Sequence, residues 1–295
     1  ALSGETTLKL ELPGGKPSGI GFLPDGSALI VSMTERLLLR LAPDGSCSIH
    51  ARLGDLVKDE LNDMVVAPDG TAYLPNRSCG ATAAVAVSTD NGTSWTVRNV
   101  PGTSASDADP SVGIGVNGTV YFGSVGSDGV PAVATSTDQG RTWAHGQQVG
   151  TDLGIKNAVF PTVVAGDDNR AAFAFLGTTT AGNYQDINNF HGVWHLYVAT
   201  TYDGGATWVT SDATPNDPVQ VGWLAGQCDH NPTELARALG GGLDEPAAAP
   251  RAGAAGPTNE RLLPPWQLAL LGLTGLAGLA GALCGLSWLA RPRYV

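Results

Sequence analysis

The chain has 295 residues, 42% of them hydrophobic, which is enough to bury a sizeable core. Forty glycines and nineteen prolines against only 15% charged and 6% aromatic residues describe short apolar runs broken by tight turns, and exclude a bundle of long amphipathic helices. The charge balance of 16 − 27 = −11 excludes a nucleic-acid partner, because such a surface repels a phosphate backbone. Cys47, Cys79, Cys228 and Cys284 form no close pair, so neither a zinc site nor a disulfide framework is expected.

Residues 1–16 read as a lead-in, and from residue 17 two series of turn signals alternate along the chain. The first is Pro24-Asp25-Gly26, Pro68-Asp69-Gly70, Asn117-Gly118 and Asp167-Asp168-Asn169. The second is Pro43-Asp44-Gly45, Asp90-Asn91-Gly92, Asp138-Gln139-Gly140 and Asp203-Gly204-Gly205. Asp or Asn before Gly tolerates the positive φ of a tight hairpin, so each signal joins two antiparallel strands. The segments between them are β-prone: Ala28 to Ser32, Leu37 to Leu41, Met64 to Ala67, Thr119 to Gly123, Ala132 to Thr135, Ala171 to Leu176 and Trp194 to Thr200. Two hairpins per period make a four-stranded unit, and recurrence every 40–50 residues or so marks a β-propeller blade. The expected fold is therefore all-β, with a propeller over 17–222, four blades near 17–56, 61–100, 109–150 and 157–212, and a partial blade or cap over 223–242.

At three of the turns the chain spells Ser88-Thr-Asp-Asn-Gly-Thr-Ser-Trp95, Ser136-Thr-Asp-Gln-Gly-Arg-Thr-Trp143 and Thr201-Tyr-Asp-Gly-Gly-Ala-Thr-Trp208. These resemble the Asp box of the sialidase-like BNR-repeat superfamily, and the resemblance covers residues 85–224. The aspartates Asp90, Asp138 and Asp203 are expected to accept hydrogen bonds from their own turns. Gly92, Gly140 and Gly205 supply the unusual φ, and Trp95, Trp143 and Trp208 pack beneath the sheet. These are structural fasteners and not catalytic acids. Residues 17–74, through Pro17-Ser-Gly-Ile-Gly-Phe and Leu61-Asn-Asp-Met-Val-Val-Ala-Pro-Asp-Gly70, resemble the SMP-30/gluconolactonase family instead. That resemblance implies a divalent metal and a sugar-lactone substrate, with Asn62 in the metal and substrate site.

In a propeller the hairpin turns share one face, which leaves the other loops to bind ligands on the opposite face. The candidates there are Asn62 and Asp63, Arg77, Asp107 and Asp109, Asp128, Lys156 and Asn157, and the inserted loop Thr178 to Gly192 with Tyr184, Asp186, Phe190 and His191. A tyrosine beside amides suits a sugar, and the oxygen donors of Asn62, Asp63, Asp107 and Asp109 suit calcium. His191 and His195 stand four apart without a third metal ligand. The resemblance to sialidases implies a three-arginine clamp and a Tyr–Glu pair. The blades over 61–212 hold only Arg77, Arg98, Arg141 and Arg170, and no glutamate occurs between Glu60 and Glu234. A sialidase is thus not expected.

Residues 243–263 are rich in Pro and Ala and read as a stalk. Residues 264–290 read as a transmembrane helix, since Trp266 to Ala290 carries no charge. The 22 steps between Trp266 and Trp288 cover about 33 Å, the thickness of a hydrocarbon layer. Arg291 and Arg293 place the 291–295 tail in the cytoplasm and the propeller outside the cell membrane. The expected function is a membrane-anchored extracytoplasmic propeller binding glycans or an extracellular protein on its loop face. The alternative is a calcium-dependent hydrolase of the lactonase or glycosidase type.

Overall fold

A computed structural model describes residues 16–224 of the chain. The apolar run, the stalk and most of the 223–242 segment lie outside the described residues. Among the described residues the elements are one 3-10 turn (Thr151–Leu153) and seventeen strands: β1 (Pro17–Phe22), β2 (Ala28–Ser32), β3 (Leu37–Leu41), β4 (Cys47–Arg52), β5 (Val65–Val66), β6 (Ala72–Cys79), β7 (Thr82–Ser88), β8 (Thr96–Asn99), β9 (Ser111–Ile114), β10 (Val120–Val125), β11 (Pro131–Ser136), β12 (Ala144–Gln148), β13 (Asn157–Ala165), β14 (Ala171–Thr178), β15 (Val193–Thr201), β16 (Val209–Asp212) and β17 (Gln220–Val221). They form four antiparallel sheets in the orders β1-β2-β3-β4, β5-β6-β7-β8, β9-β10-β11-β12 and β13-β14-β15-β16, and β17 adds to β15. An all-β chain of consecutive four-stranded meanders has the topology of propeller blades.

The turns form because a side chain replaces a backbone partner. The carboxylates of Asp25, Asp44 and Asp69 each accept the amide two residues on, from Ser27, Ser46 and Thr71, all at 2.9 Å. Three Asp boxes make the same device stronger. In the middle one Asp138 accepts from Ser136 Oγ at 2.8 Å, from the Thr142 amide at 2.8 Å and from Thr142 Oγ1 at 2.7 Å. Ser136 Oγ in turn accepts the buried Gly140 amide at 2.8 Å. Trp143 and Trp208 then lie edge-on to Phe122 and Tyr121, with ring centres 5.9 and 6.2 Å apart.

The sheets stack face to face, and the first strands pack in series, β1 against β5, β5 against β9 and β9 against β13. Strand β10 shows why its sequence is apolar throughout. Tyr121 and Val125 enter the core shared with the fourth sheet, and the alternate Val120 and Phe122 enter the core shared with the second. Gly113 lets the third and fourth sheets close up: a Cβ there would stand 2.8 Å from Val163. Among the described residues no comparable packing returns from the fourth sheet to the first, so the four sheets form an arc.

A polar latch joins each pair of sheets at the outer edge. His50 Nε2 on β4 meets the Asn91 carbonyl at 2.8 Å, Arg98 on β8 donates to the Gln139 carbonyl, and Gln147 Nε2 on β12 donates to the Ala206 carbonyl at 2.7 Å. Each acceptor belongs to the Asp-box turn of the next sheet.

The strand reading holds with local adjustments. Ala28–Ser32 and Leu37–Leu41 are strands with the expected ends. The run expected from Met64 to Ala67 pairs only over Val65–Val66, and Met64 packs into the core of the first two sheets. Strand β17 was not anticipated; the Val219 and Gly222 amides donate to the Trp194 and Gly192 carbonyls and hold it to β15.

Candidate functional site

Because strands alternate in direction, the turns between first and second and between third and fourth strands fall at one end of every sheet. The β2–β3, β6–β7, β10–β11 and β14–β15 loops and the links between sheets fall at the other. Asn62 and Asp63 enter β5, Asp107 and Asp109 enter β9, and Arg77 ends β6, so five expected residues come from three segments of this loop end.

Their geometry centres on Asp109. Asn62 Nδ2 donates to Asp109 Oδ2 at 2.9 Å, and Arg77 Nε stands 3.7 Å from Asp109 Oδ1. Arg77 Nη1 also donates to the Asp107 carbonyl at 3.2 Å. Asp63 Oδ1 accepts its neighbour's amide, from Met64, at 2.8 Å. The Asn62 carbonyl is held by β1, where the Gly19 amide donates at 2.9 Å and Ser18 Oγ also donates. A Cβ at Gly19 would lie 2.6 Å from the Met64 nitrogen, so this close approach requires glycine. Ser18 and Gly19 were not singled out from the sequence, and Pro17-Ser-Gly just before an apolar alternation was the available signal.

The electrostatics of this cluster run against ionised carboxylates. Surrounding protein strips water from Asp109 and raises its pKa; Arg77 and Asn62 oppose this, and Glu60 and Asp59 add to it. Asp63 is raised too, first by thinned hydration and then by the charge of Asp109, although its side chain remains open to solvent. The arrangement offers several oxygen acceptors with one guanidinium and one amide, a set that matches hydroxyl groups.

The donor set does not fit calcium as arranged. Asn62 and Arg77 already address the two Asp109 oxygens, a guanidinium beside a carboxylate competes with a cation, and among the described residues no three of His, Cys, Asp and Glu gather as a metal-holding group.

The remaining candidates lie on the fourth sheet, its entry and its loop, except Asp128, which lies in the β10–β11 loop of the third sheet. Lys156 is exposed and its amide donates to the Thr178 carbonyl at 2.8 Å. Asn157 is buried, and its Nδ2 donates to the Thr180 and Gly182 carbonyls at 2.9 and 3.1 Å. Asp186 accepts from Asn189 Nδ2 at 2.8 Å and from the Asn188 and Asn189 amides at 3.0 and 3.1 Å, which holds its carboxyl below the usual range. Tyr184 and Phe190 pack on Trp194 with ring centres 6.0 and 5.8 Å away, so the tyrosine is half-buried core at the foot of the loop. His191 is exposed, whereas His195 Nδ1 faces the Thr214 carbonyl at 2.7 Å and Asp212 at 3.3 Å. Asp128 accepts the Val130 amide at 3.0 Å and closes its own turn.

The Asp-box aspartates stand at the opposite end. Asp90 is pulled down to about 2 by the Ser94 hydroxyl and amide, Asp138 to about 2 by the Thr142 amide and hydroxyl, and Asp203 to about 2 by the Thr207 hydroxyl and amide.

No family model and no curated protein matches the chain. Among solved structures it is similar to a streptogramin B lyase, at 16% identity and TM-score 0.44 over 70% of this chain and 72% of that one. A catalytically inactive virginiamycin B lyase from Staphylococcus aureus with quinupristin shares 15% identity at TM-score 0.47, over 70% of this chain and 59% of that one. A Hadza microbial sialidase shares 17% identity at TM-score 0.41, over 68% and 45% of the two chains. What the chain's own topology defines is an all-β protein of the propeller type.

Proposed function

We propose that the chain is an extracytoplasmic, membrane-anchored binding protein that takes glycans at the loop end of its sheets, through Asn62, Asp63, Arg77 and Asp109. The observation that carries this reading is the convergence of those four side chains from three separate segments, around carboxylates held in protein-crowded surroundings. Sugar hydroxyls donate to Asp63, while Asp109 orients Asn62 and Arg77, and Arg77 donates to a ring or hydroxyl oxygen. Neutral donors relieve the carboxylates without requiring a counter-ion. The uncharged run from Trp266 to Ala290 supports the anchor. The Asp boxes take no part, because their carboxylates are occupied by their own turns.

The test is a glycan array probed with the full chain in detergent micelles. Binding to a restricted set of glycans, weakened about 10–100-fold by Asp109→Asn through loss of hydrogen bonds to a charged group, is expected. Silence across the array at concentrations that detect millimolar affinity would overturn the reading.

A further inference from the structure

The pattern Asn-x-Ser/Thr, with x other than Pro, occurs at Asn76-Arg77-Ser78, Asn91-Gly92-Thr93 and Asn117-Gly118-Thr119. The fold puts these three asparagines to different uses.

Asn76 lies within β6 and is only 3% exposed. Its Oδ1 accepts the Ser78 amide at 3.0 Å and the Cys79 thiol at 3.6 Å. Any group added to this side chain would have to enter the packed sheet. Asn117 lies in the turn between β9 and β10 and clamps the third sheet to the fourth. Its backbone amide stands 3.1 Å from both Asp168 oxygens, its Nδ2 donates to Asp168 Oδ2, and the Thr119 amide donates to Asp168 Oδ1 at 3.1 Å. The side-chain nitrogen of Asn117 is committed to a neighbouring sheet.

Asn91 differs in both respects. It sits at the tip of the turn between β7 and β8 and is exposed, and its Nδ2 has no hydrogen-bond partner among the described residues. The other end of the amide is packed. A Cβ added at Gly70 would stand 2.2 Å from Asn91 Oδ1 and 3.4 Å from its Cγ, so the oxygen is seated over the bare Cα of Gly70. The nitrogen is the outward end of the amide.

The turn itself does not call for this asparagine. The equivalent position of the other Asp boxes holds Gln139 and Gly204, with φ of 58° at Asn91, 62° at Gln139 and 74° at Gly204. Thr93 is likewise matched by Arg141 and Ala206. Asn91 and Thr93 therefore occupy positions that the fastener leaves unconstrained, and the glycine between them is the one the turn requires.

We propose that Asn91 is a site of N-glycosylation, taking its oligosaccharide from a lipid-linked pyrophosphate donor. Asn91 Nδ2 attacks the anomeric carbon of the first sugar. The new N–C bond replaces the C–O bond to the pyrophosphate, which leaves with the lipid, and the amide gives up one proton. Folding then decides which products are tolerated: a sugar at Asn91 projects into solvent, one at Asn76 obstructs the second sheet, and one at Asn117 intrudes on the Asp168 clamp. The turn end lies opposite the loop end, so this glycan leaves Asn62, Asp63, Arg77 and Asp109 uncovered.

Modification of the native chain rests on the extracytoplasmic placement proposed above, and the two fail separately. The full chain is produced behind a cleavable export signal in a eukaryotic secretory host, which forces export whatever the native placement. Enzymatic removal of N-glycans in heavy-oxygen water then converts each occupied asparagine to a labelled aspartate. The expected result is a mass decrease of one oligosaccharide, with the label at Asn91 and none at Asn76 or Asn117. Asn91→Gln and Thr93→Ala are expected to abolish the decrease, and Thr93→Ser to keep it. The two Thr93 variants leave Asn91 on its seat over Gly70, so their contrast reads the site and not the turn. An exported chain bare at Asn91, or one labelled at Asn76 or Asn117 as fully as at Asn91, would overturn the proposal. Protection of the native propeller from protease added to intact cells would overturn the placement, and with it modification of the native chain, while the exported chain still showed Asn91 occupied.

Discussion

The aspartates at the turn end and those at the loop end are the same residue type put to opposite uses. At the turn end, Asp90, Asp138 and Asp203 are wrapped by hydroxyls and amides of their own turns, and each carboxyl is pulled down to about 2. At the loop end, Asp63 and Asp109 are crowded by protein, and this desolvation raises their pKa values. A carboxylate whose acceptors are filled stabilises a fold and has nothing left for a ligand. One held in thinned hydration, as at the loop end, has its charged form disfavoured by its surroundings instead of fixed by its own turn.

The largest effect expected from this contrast is on stability. Ser136→Ala leaves the buried Gly140 amide without its acceptor and removes a donor to Asp138, so a loss of about 1–3 kcal/mol is expected by denaturant unfolding. Asp109→Asn keeps the size of its side chain in the loop-end cluster and is expected to change the unfolding midpoint much less. Equal losses for the two would break the contrast.

Acid sharpens it further. The turn-end carboxyls are depressed, so their contribution is complete above the unfolded value of 3.8 and is lost as pH falls towards about 2. The loop-end carboxyls are raised, so the folded state binds their protons more tightly, and their contribution grows as pH falls through the raised values towards 3.8. Thermal unfolding across this range should show a smaller gain on mild acidification in the Asp63→Asn and Asp109→Asn variants, with the loss near pH 2 to 3.8 preserved. Variants that retained the full gain would contradict the assignment.

The parts of this molecule that were legible in the sequence are those written in side chains. Asp-Gly turns and the three Asp boxes located the hairpins, because an Asx turn needs a particular carboxylate and a particular glycine. The outer latches were invisible for the converse reason. His50, Arg98 and Gln147 share no residue type, since any donor of sufficient reach satisfies a backbone carbonyl. At the loop end, Asn62, Asp63, Asp107 and Asp109 were identifiable singly from their places before the first strands of sheets. The focus of Asn62 and Arg77 on the Asp109 carboxylate was not, because it depends on how Gly19 lets β1 approach Asn62 and on where β6 delivers Arg77. Tyr184 read as a free ring for stacking, yet it is half-buried against Trp194, a contact across the loop that no local pattern announces.

The most direct test of the division between the two ends is a paired comparison of Asp109→Asn with Asp138→Asn in the full chain, by calorimetric titration with a glycan bound on the array and by thermal unfolding. The account predicts that Asp109→Asn weakens binding about 10–100-fold with the unfolding midpoint nearly unchanged, and that Asp138→Asn binds as the parent does but unfolds at a lower temperature. Loss of affinity in Asp138→Asn together with full affinity in Asp109→Asn would contradict it.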